Sequence, residues 1–172
     1  MQVRTEAGEV EVGTEECFRN LVDSLGDPDP KVRQLAVCGL AASGDERALE
    51  HIGTALDDED ADLRQRAAMA LGRLGDRRAA PLLIAVAERD DPPLHRAAIL
   101  ALGELGPVGI DVLAREIACR EPADRICAAI ALGETRDVAA VEPLTPALKD
   151  EDATVRARAR EALEKIRESR VF

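Results

Sequence analysis

The sequence predicts an all-α fold in which about five similar helix pairs stack into an α–α superhelix. One leucine recurs at intervals of 30 or 31 residues, and a small residue stands four positions before it each time. Of the 172 residues 46% are apolar, yet the chain has two Phe, no Trp and no Tyr. Such a core favours closely spaced helices, because strands are enriched in aromatic and β-branched residues. The recurring residues are Leu40, Leu71, Leu102, Leu132 and Leu163, preceded by Ala36, Ala67, Ala98, Ala128 and Ala159.

The second half of each repeat has the signals of a helix. Its apolar residues fall at helical spacing and form one stripe. An acidic residue caps its start, and Asp29-Pro30 and Asp91-Pro92 add a proline that needs no amide partner there. Glu121 takes the capping place in the fourth unit, and Gly75 and Gly106 mark helix ends. In the first unit the stripe consists of Val32, Leu35, Ala36, Gly39 and Leu40, and the other caps are Asp60 and Asp152.

A second apolar segment completes each unit as a pair of antiparallel helices. One pair cannot bury its own apolar faces, so the units must stack. The sequence predicts one domain over 14–172 with helix pairs at about 14–43, 45–74, 76–105, 107–135 and 137–169. Its first helices are expected at roughly 14–25, 45–56, 76–88, 107–118 and 137–148, and its second helices at 30–43, 61–74, 92–105, 122–135 and 153–169. Residues 1–13 are interpreted as an N-terminal tail, because the alternation over 9–12 is too short to establish a strand.

The charge balance opposes nucleic acid and anionic membranes as partners. The chain has 34 acidic and 23 basic residues, for a net charge of −11. The basic residues form no cluster before Arg156, Arg158 and Arg160, and in the last helix these suit a cap that faces solvent.

The cysteines favour a reducing, cytoplasmic location. Cys17, Cys38, Cys119 and Cys127 have no Cys-x-x-Cys spacing, and such cysteines are commonly small buried hydrophobes. The chain also shows no secretory apolar region and no apolar run near the length that spans a bilayer.

The repeated motif resembles the HEAT repeat, in the short form named after phycobilisome lyases. It runs from Val32-Arg33 to Gly44-Asp45 and from Leu63-Arg64 to Gly75-Asp76, and again from Val155-Arg156 to Ile166. The resemblance implies a right-handed solenoid over about nine-tenths of the chain. For function it implies less, because such repeats serve scaffolds, adaptors and a few enzymes.

In that family an aspartate in the turn and an arginine on the second helix form a ladder of hydrogen bonds between repeats. The matching pairs here are Asp27 with Arg33, Asp58 with Arg64 and Asp150 with Arg156. Arg89 and His95 take these places in the third unit, and Cys119 stands with Arg125 in the fourth. The resemblance therefore predicts a ladder interrupted in the middle, which is interpreted as harmless drift and not as a site.

No set of residues indicates an enzyme, a metal site or a cofactor. A branch that resembles deoxyhypusine hydroxylase holds two irons through repeated His-Glu pairs, but His51 and His95 are the only histidines and neither is followed by Glu. A second branch, the bilin lyase subunits, attaches tetrapyrroles to light-harvesting proteins. A helper subunit of such a complex stays open as the alternative to a non-enzymatic scaffold.

The predicted partner surface is the face of the second helices that points away from the core stripe. A turn of 100° per residue places repeat positions 34, 37, 38 and 41 on that face, each counted with its equivalents in the other units. The surface so formed is apolar in its middle, which is typical of a protein-binding site. Alternatively, tight curvature buries positions 37 and 38 between neighbouring repeats. The expected partner-binding residues are Gln34, Gln65, Arg96, Ile126, Ile99 and Met69.

Overall fold

The computed structural model describes residues 2–5, 8–11 and 15–169. Within these ranges ten α-helices form five consecutive pairs stacked into an α–α superhelix, the all-α fold class that the repeat predicts. The first helices are α1 (Glu15–Ser24), α3 (Ala48–Thr54), α5 (Ala80–Ala87), α7 (Ile110–Glu116) and α9 (Val141–Ala147). The second helices are α2 (Pro30–Ser43), α4 (Ala61–Leu74), α6 (Pro92–Glu104), α8 (Pro122–Glu134) and α10 (Ala153–Glu168).

The second helices begin at the expected residues, whereas the first helices are shorter than expected. A 3₁₀ turn, Ala55–Asp57, follows α3. The 3₁₀ turns Arg77–Ala79, Pro107–Gly109 and Val138–Ala140 precede α5, α7 and α9. Each takes up part of the range that the apolar pattern assigned to one α-helix. The division into a tail of residues 1–13 and one domain from 14 stays a prediction.

An antiparallel β-hairpin precedes the helices. β1 (Gln2–Thr5) pairs with β2 (Gly8–Glu11), with Val3 opposite Val10. The prediction of a tail without a strand was therefore wrong for these residues. The prediction considered only the short apolar alternation over 9–12. The strand forms because its backbone pairs with residues 2–5, and apolar periodicity does not reveal such pairing. Val12 and Gly13 lie outside the described residues.

Helix capping follows the sequence signals. The side chain of Asp60 accepts a hydrogen bond from the backbone N–H of Leu63 at 2.8 Å, and Asp29, Asp91 and Asp152 cap their helices in the same way. Glu121, in contrast, makes no side-chain cap. Left-handed backbone follows the second helices at Gly44, Gly75 and Gly106, where φ lies between 67° and 82°. Glycine adopts this conformation without steric cost, so the expected helix ends are confirmed at Gly75 and Gly106.

The repeated leucines and alanines form one continuous core. Leu40, Leu71, Leu102 and Leu132 are each 0% exposed, and the alanines four residues before them are equally buried. Leu163, in the last unit, is only half-buried. One member of the expected stripe is misplaced, since Leu35 is 71% exposed.

Neighbouring second helices approach one another more closely than neighbouring first helices do. The contact points are the glycines at repeat position 41. A Cβ on Gly103 would lie 2.6 Å from the Cα of Ala131, and one on Gly72 would lie 2.8 Å from the Cα of Ala101. The close spacing places the second helices on the inner side of the curve. At Gly72, Gly103 and Gly133, position 41 therefore belongs to the contact between units and not to the partner surface that the sequence predicted.

A ladder of arginines joins the turns of successive units. In each rung one guanidinium nitrogen donates to a backbone carbonyl in the turn of its own unit, as Arg33 Nη1 does to Asp27 O at 2.9 Å. The other side of the guanidinium reaches a carboxylate of the next unit. Arg33 Nη2 lies 2.8 Å from Asp58 Oδ1, and Arg125 Nε and Nη2 contact both carboxylate oxygens of Asp150. Within a unit, the arginine therefore binds the backbone carbonyl of the aspartate with which the family motif pairs it. The carboxylate of that aspartate instead binds the arginine of the preceding unit.

The middle of the ladder is rebuilt and not simply interrupted. Arg64 Nη2 pairs with Asp91 Oδ2 at 2.9 Å, two residues beyond the place that Arg89 occupies. Arg89 instead donates to Leu56 O at 3.1 Å and pairs with Asp57. His95 replaces the third arginine, with Nδ1 2.7 Å from Ala87 O and Nε2 3.3 Å from Glu116 Oε2. The absence of a functional role for this variation stays a prediction.

The ladder makes stability depend on acidic pH. Hydrogen bonding to Arg125 lowers the pKa of Asp150, and hydrogen bonding to Arg64 lowers the pKa of Asp91. Because the folded pKa lies below the unfolded value of about 3.9, each pair stabilises the protein fully above that value. This contribution is lost as the pH falls through the folded pKa.

We expect Asp150→Asn to lower stability at about pH 5 and to differ less from wild type at about pH 2, because the contribution of wild-type Asp150 declines once the pH falls below the unfolded pKa of about 3.9. Asn keeps the side-chain oxygen that accepts from Asp152 N–H at 2.8 Å. Urea unfolding at both pH values measures the difference. Glu151→Gln is the control, since the Glu151 side chain is 85% exposed and touches the same arginine. An equal effect of Asp150→Asn at the two pH values would contradict the assignment.

Candidate functional site

Most of the expected surface residues are partly accessible on the inner side of the second helices. Gln34, Gln65, Arg96 and Ile126, at repeat position 34, are all half-buried. Position 38 is similar: Met69 is half-buried, as are Leu100 and Ile130, and Cys38 is exposed. Positions 34 and 38 are therefore available for contact in the structure.

Ile99 is not on the surface. It is 1% exposed, and its equivalents Val37, Ala68 and Ala129 are each 0% exposed. Position 37 lies in the contact between neighbouring second helices, so the expectation that Ile99 binds a partner was wrong. The alternative of burial between repeats is correct for position 37 but not for position 38.

A groove of about 660 Å³ crosses the inner sides of α2, α4 and α6. It is named here the inner groove. Of the six expected residues it contains Gln65, Met69 and Arg96, whereas Gln34, Ile126 and Ile99 lie outside it. Its full lining is Cys38, Ala41, Ala42, Gln65, Arg66, Met69, Ala70, Arg73, Pro93, Arg96, Ala97 and Leu100.

Helical spacing explains which side chains meet in the inner groove. On α4 the lining residues include Arg66, Met69, Ala70 and Arg73, which stand at i, i+3, i+4 and i+7 and share one face. On α6 the residues Pro93, Arg96, Ala97 and Leu100 follow the same pattern. The two stripes lie side by side because Gly72 lets α4 and α6 approach closely. The floor is thus apolar, and the arginines stand over it.

Two of the three groove arginines have free guanidinium groups. Within residues 15–169 neither Arg66 nor Arg73 makes a hydrogen bond or an ion pair, and both side chains are exposed. Arg96 donates through Nε to Asp124 Oδ1 at 2.8 Å. The carboxylate of Glu104 interacts electrostatically with Arg73. Burial raises the pKa of Glu104, and the nearby positive charge of Arg73 opposes that rise.

Sequence reasoning missed Arg66 and Arg73. The expected face was drawn through positions 34, 37, 38 and 41, but the lining also includes positions 35 and 42, where Arg66 and Arg73 lie. The i and i+7 spacing of the two arginines beside Met69 indicates that all three share one face of the helix. To place that face on the partner surface, the orientation of the helix relative to the next unit must also be known.

Two of the four cysteines are disfavoured as nucleophiles by burial. Burial raises the pKa of the Cys119 and Cys127 thiols, which disfavours the reactive thiolate. His51 packs edge-on against Phe18, with ring centroids 5.7 Å apart. In the part of the chain that the structure describes, no three His, Cys, Asp or Glu side chains converge as a metal site. Nor does any helix described there have the length and apolarity to cross a membrane.

Two family models match the sequence. A model described as HEAT repeats matches residues 50–115 and 110–172, and a model described as PBS lyase HEAT-like repeat matches residues 32–58. The first of these covers more than half of the chain. A comparison with curated protein sequences gives no match.

Several solved structures are similar over most of the chain. A chain of the complex of CpcE and CpcF of phycocyanin lyase from Nostoc is 25% identical, with a TM-score of 0.67 over 98% of this chain and 72% of that chain. The Escherichia coli protein YibA is 16% identical, with a TM-score of 0.65 over 88% of this chain and 60% of that chain. An engineered protein is 21% identical, with a TM-score of 0.57 over 88% of this chain and 80% of that chain. The last two similarities concern the fold alone.

Proposed function

Because this chain belongs to the HEAT-repeat family, we propose that it is a non-enzymatic scaffold that binds a protein partner in the inner groove. The observation that carries the proposal is the groove itself, which lies across three units on the inner side of the superhelix. Apolar side chains there are accessible without being covered by the chain's own elements. In a folded protein such a surface is typical of an interaction site.

The shape of the groove suits a segment of another protein. Met69 and Leu100 are half-buried on its floor, so a partner side chain placed on them would remove apolar surface from water. Gln65 and the arginines stand at the edges and offer hydrogen-bond donors. An apolar centre with a polar rim is the usual arrangement of a protein interface.

A second candidate function is that of an accessory subunit in an enzyme complex that resembles bilin lyases. It is favoured by the likeness to a chain from the complex of CpcE and CpcF of phycocyanin lyase, which extends over 98% of this chain. This candidate also requires a protein partner, but the complex would handle a pigment. A visible absorbance band that copurifies with the chain and its partner would favour the accessory subunit over the scaffold.

We expect Gln65→Glu combined with Met69→Glu to abolish capture of a partner that wild type retains from native lysate. Two carboxylates in the groove would place charge on its apolar floor and would occupy the groove arginines in place of a partner. Folding should persist, because Gln65 bonds only to Ala61 O in its own helix and Met69 is not fully buried. Arg96 is a poorer position to change, since its loss would also break the ion pair with Asp124.

The matched control is Val138→Glu, which adds a carboxylate at a 59% exposed apolar residue in the fifth unit. Captured proteins are identified by mass spectrometry, and circular dichroism checks that all variants remain helical. Identical capture by wild type and the groove variant would place the partner on another surface and refute the proposal.

A further inference from the structure

We propose that the inner groove recognises a peptide segment in which carboxylates flank apolar side chains. This inference rests on the proposed function and adds the chemistry of the partner. The chain as a whole is acidic, with a net charge of −11. Among the described residues that line the groove, however, three are arginines and none is Asp or Glu. The groove is thus a local positive site on a negative protein.

The positive charge of the groove is available to a ligand. Arg66 and Arg73 make no hydrogen bond or ion pair among residues 15–169, although Arg73 lies near the Glu104 carboxylate, and only Nε of Arg96 is used, by Asp124. The arginines of the ladder, such as Arg33 and Arg125, are in contrast committed to carboxylates of the protein itself. Arginine forms bidentate hydrogen bonds with carboxylates, so the free guanidinium groups fit acidic side chains.

The apolar residues on the floor of the inner groove indicate that the ligand also contributes apolar side chains. Met69 and Leu100 lie between the arginines of α4 and α6, and the alanines of α2 extend the apolar strip. Leu35, the most exposed of the large hydrophobic residues described, stands one helical turn before Cys38, which lines the groove. A purely acidic ligand would leave this strip uncovered, so the partner must contribute apolar side chains as well.

The spacing of the arginines constrains the ligand further. Arg66 and Arg73 are two turns apart on α4, or about 10.5 Å along its axis. In an extended peptide alternate side chains share one face, so carboxylates at i and i+4, about 13 Å apart, lie on the same side, and the long arginine side chains can reach both of them. The side chain at i+2 would then face the floor between them. Nucleic acid is disfavoured, because its phosphates would meet the negative charge of the rest of the protein.

Selection from a random 12-residue peptide library displayed on phage tests the proposal, with the full chain as target and the Gln65→Glu, Met69→Glu variant as the subtractive target. Enriched peptides are synthesised with a fluorescent label, and their affinity is measured by anisotropy. We expect enrichment of Asp or Glu beside Leu, Ile, Val or Phe. Arg66→Glu with Arg73→Glu should weaken binding at least tenfold, and replacing the acidic residues of the peptide with Gln or Asn should do the same.

The control is Arg115→Glu, an exposed arginine on the first helix α7 that lies outside the groove. It makes the same charge change as each single groove substitution and should alter affinity less than twofold. Groove-dependent peptides without an acidic bias, or binding that survives the Arg66 and Arg73 change, would overturn this inference and leave the proposed function standing. No enrichment over the subtractive target would overturn both.

Discussion

Replacement of Leu102 with alanine is expected to lower the free energy of unfolding by about 2–5 kcal/mol. Leu102 is 0% exposed in the central part of the core. The equivalent leucines of both neighbouring units belong to the same buried cluster. The turn before α7 packs directly on it, since a Cβ on Gly109 would lie 3.1 Å from Leu102 Cβ. Packing this dense prevents the surroundings from filling the cavity, so the transfer term and the cavity term add.

Urea unfolding followed by far-ultraviolet circular dichroism measures this loss. Leu35→Ala is the matched control, because the same side chain is removed from a second helix at a position that is 71% exposed. It should change stability by about 0.5 kcal/mol or less. If the two variants were equally stable, the assignment of the repeated leucines to one cooperative core would be wrong.

A leucine in place of Gly103 should destabilise the protein by about 3 kcal/mol, the upper part of the range for overpacked cores. The added Cβ would lie 2.5 Å from the carbonyl oxygen of Ala131 and 2.6 Å from its Cα. These are backbone atoms of α8, so no side chain can turn away, and α6 and α8 must separate.

Gly53→Ala is the control for Gly103→Leu. Its Cβ would meet only the end of the Leu82 side chain, at 3.2 Å, and that side chain is itself partly exposed. Alanine also has the higher helix propensity, so stability should stay within about 0.5 kcal/mol of wild type or rise. Thermal unfolding of the two variants provides the comparison. A melting temperature of Gly103→Leu equal to that of wild type would show that the close helix contact does not limit packing.

The repeat made most of the fold predictable. Helix propensity, capping residues and apolar spacing act over a few residues, so the second helices could be placed from the sequence at their observed first residues. The HEAT-repeat resemblance is likewise confirmed, since its motif is local. The partner, the non-enzymatic role and the cytoplasmic location stay predictions.

The inner groove was only half predictable. Gln65, Met69 and Arg96 were identified, but Ile99 was placed on the surface and Arg66 and Arg73 were left out. The core stripe of a second helix shows which side faces its own first helix. It does not show which side faces the next unit, because that depends on how far each unit is rotated on its neighbour.

By itself, the sequence determined the number of helix pairs, their positions and the residues of the repeated core, because these depend on local backbone preference and on a period that recurs five times. Only the tertiary structure decided which residues of the second helices are buried between units and which remain accessible. Contact between units buries Ile99 and Gly103 and leaves Arg66 and Arg73 without ion pairs. It also gives Arg64 a carboxylate at Asp91, because the expected ladder position holds Arg89. These outcomes depend on contacts between residues about 25 to 30 positions apart in the sequence. The apolar periodicity of a single helix gives no information about such contacts.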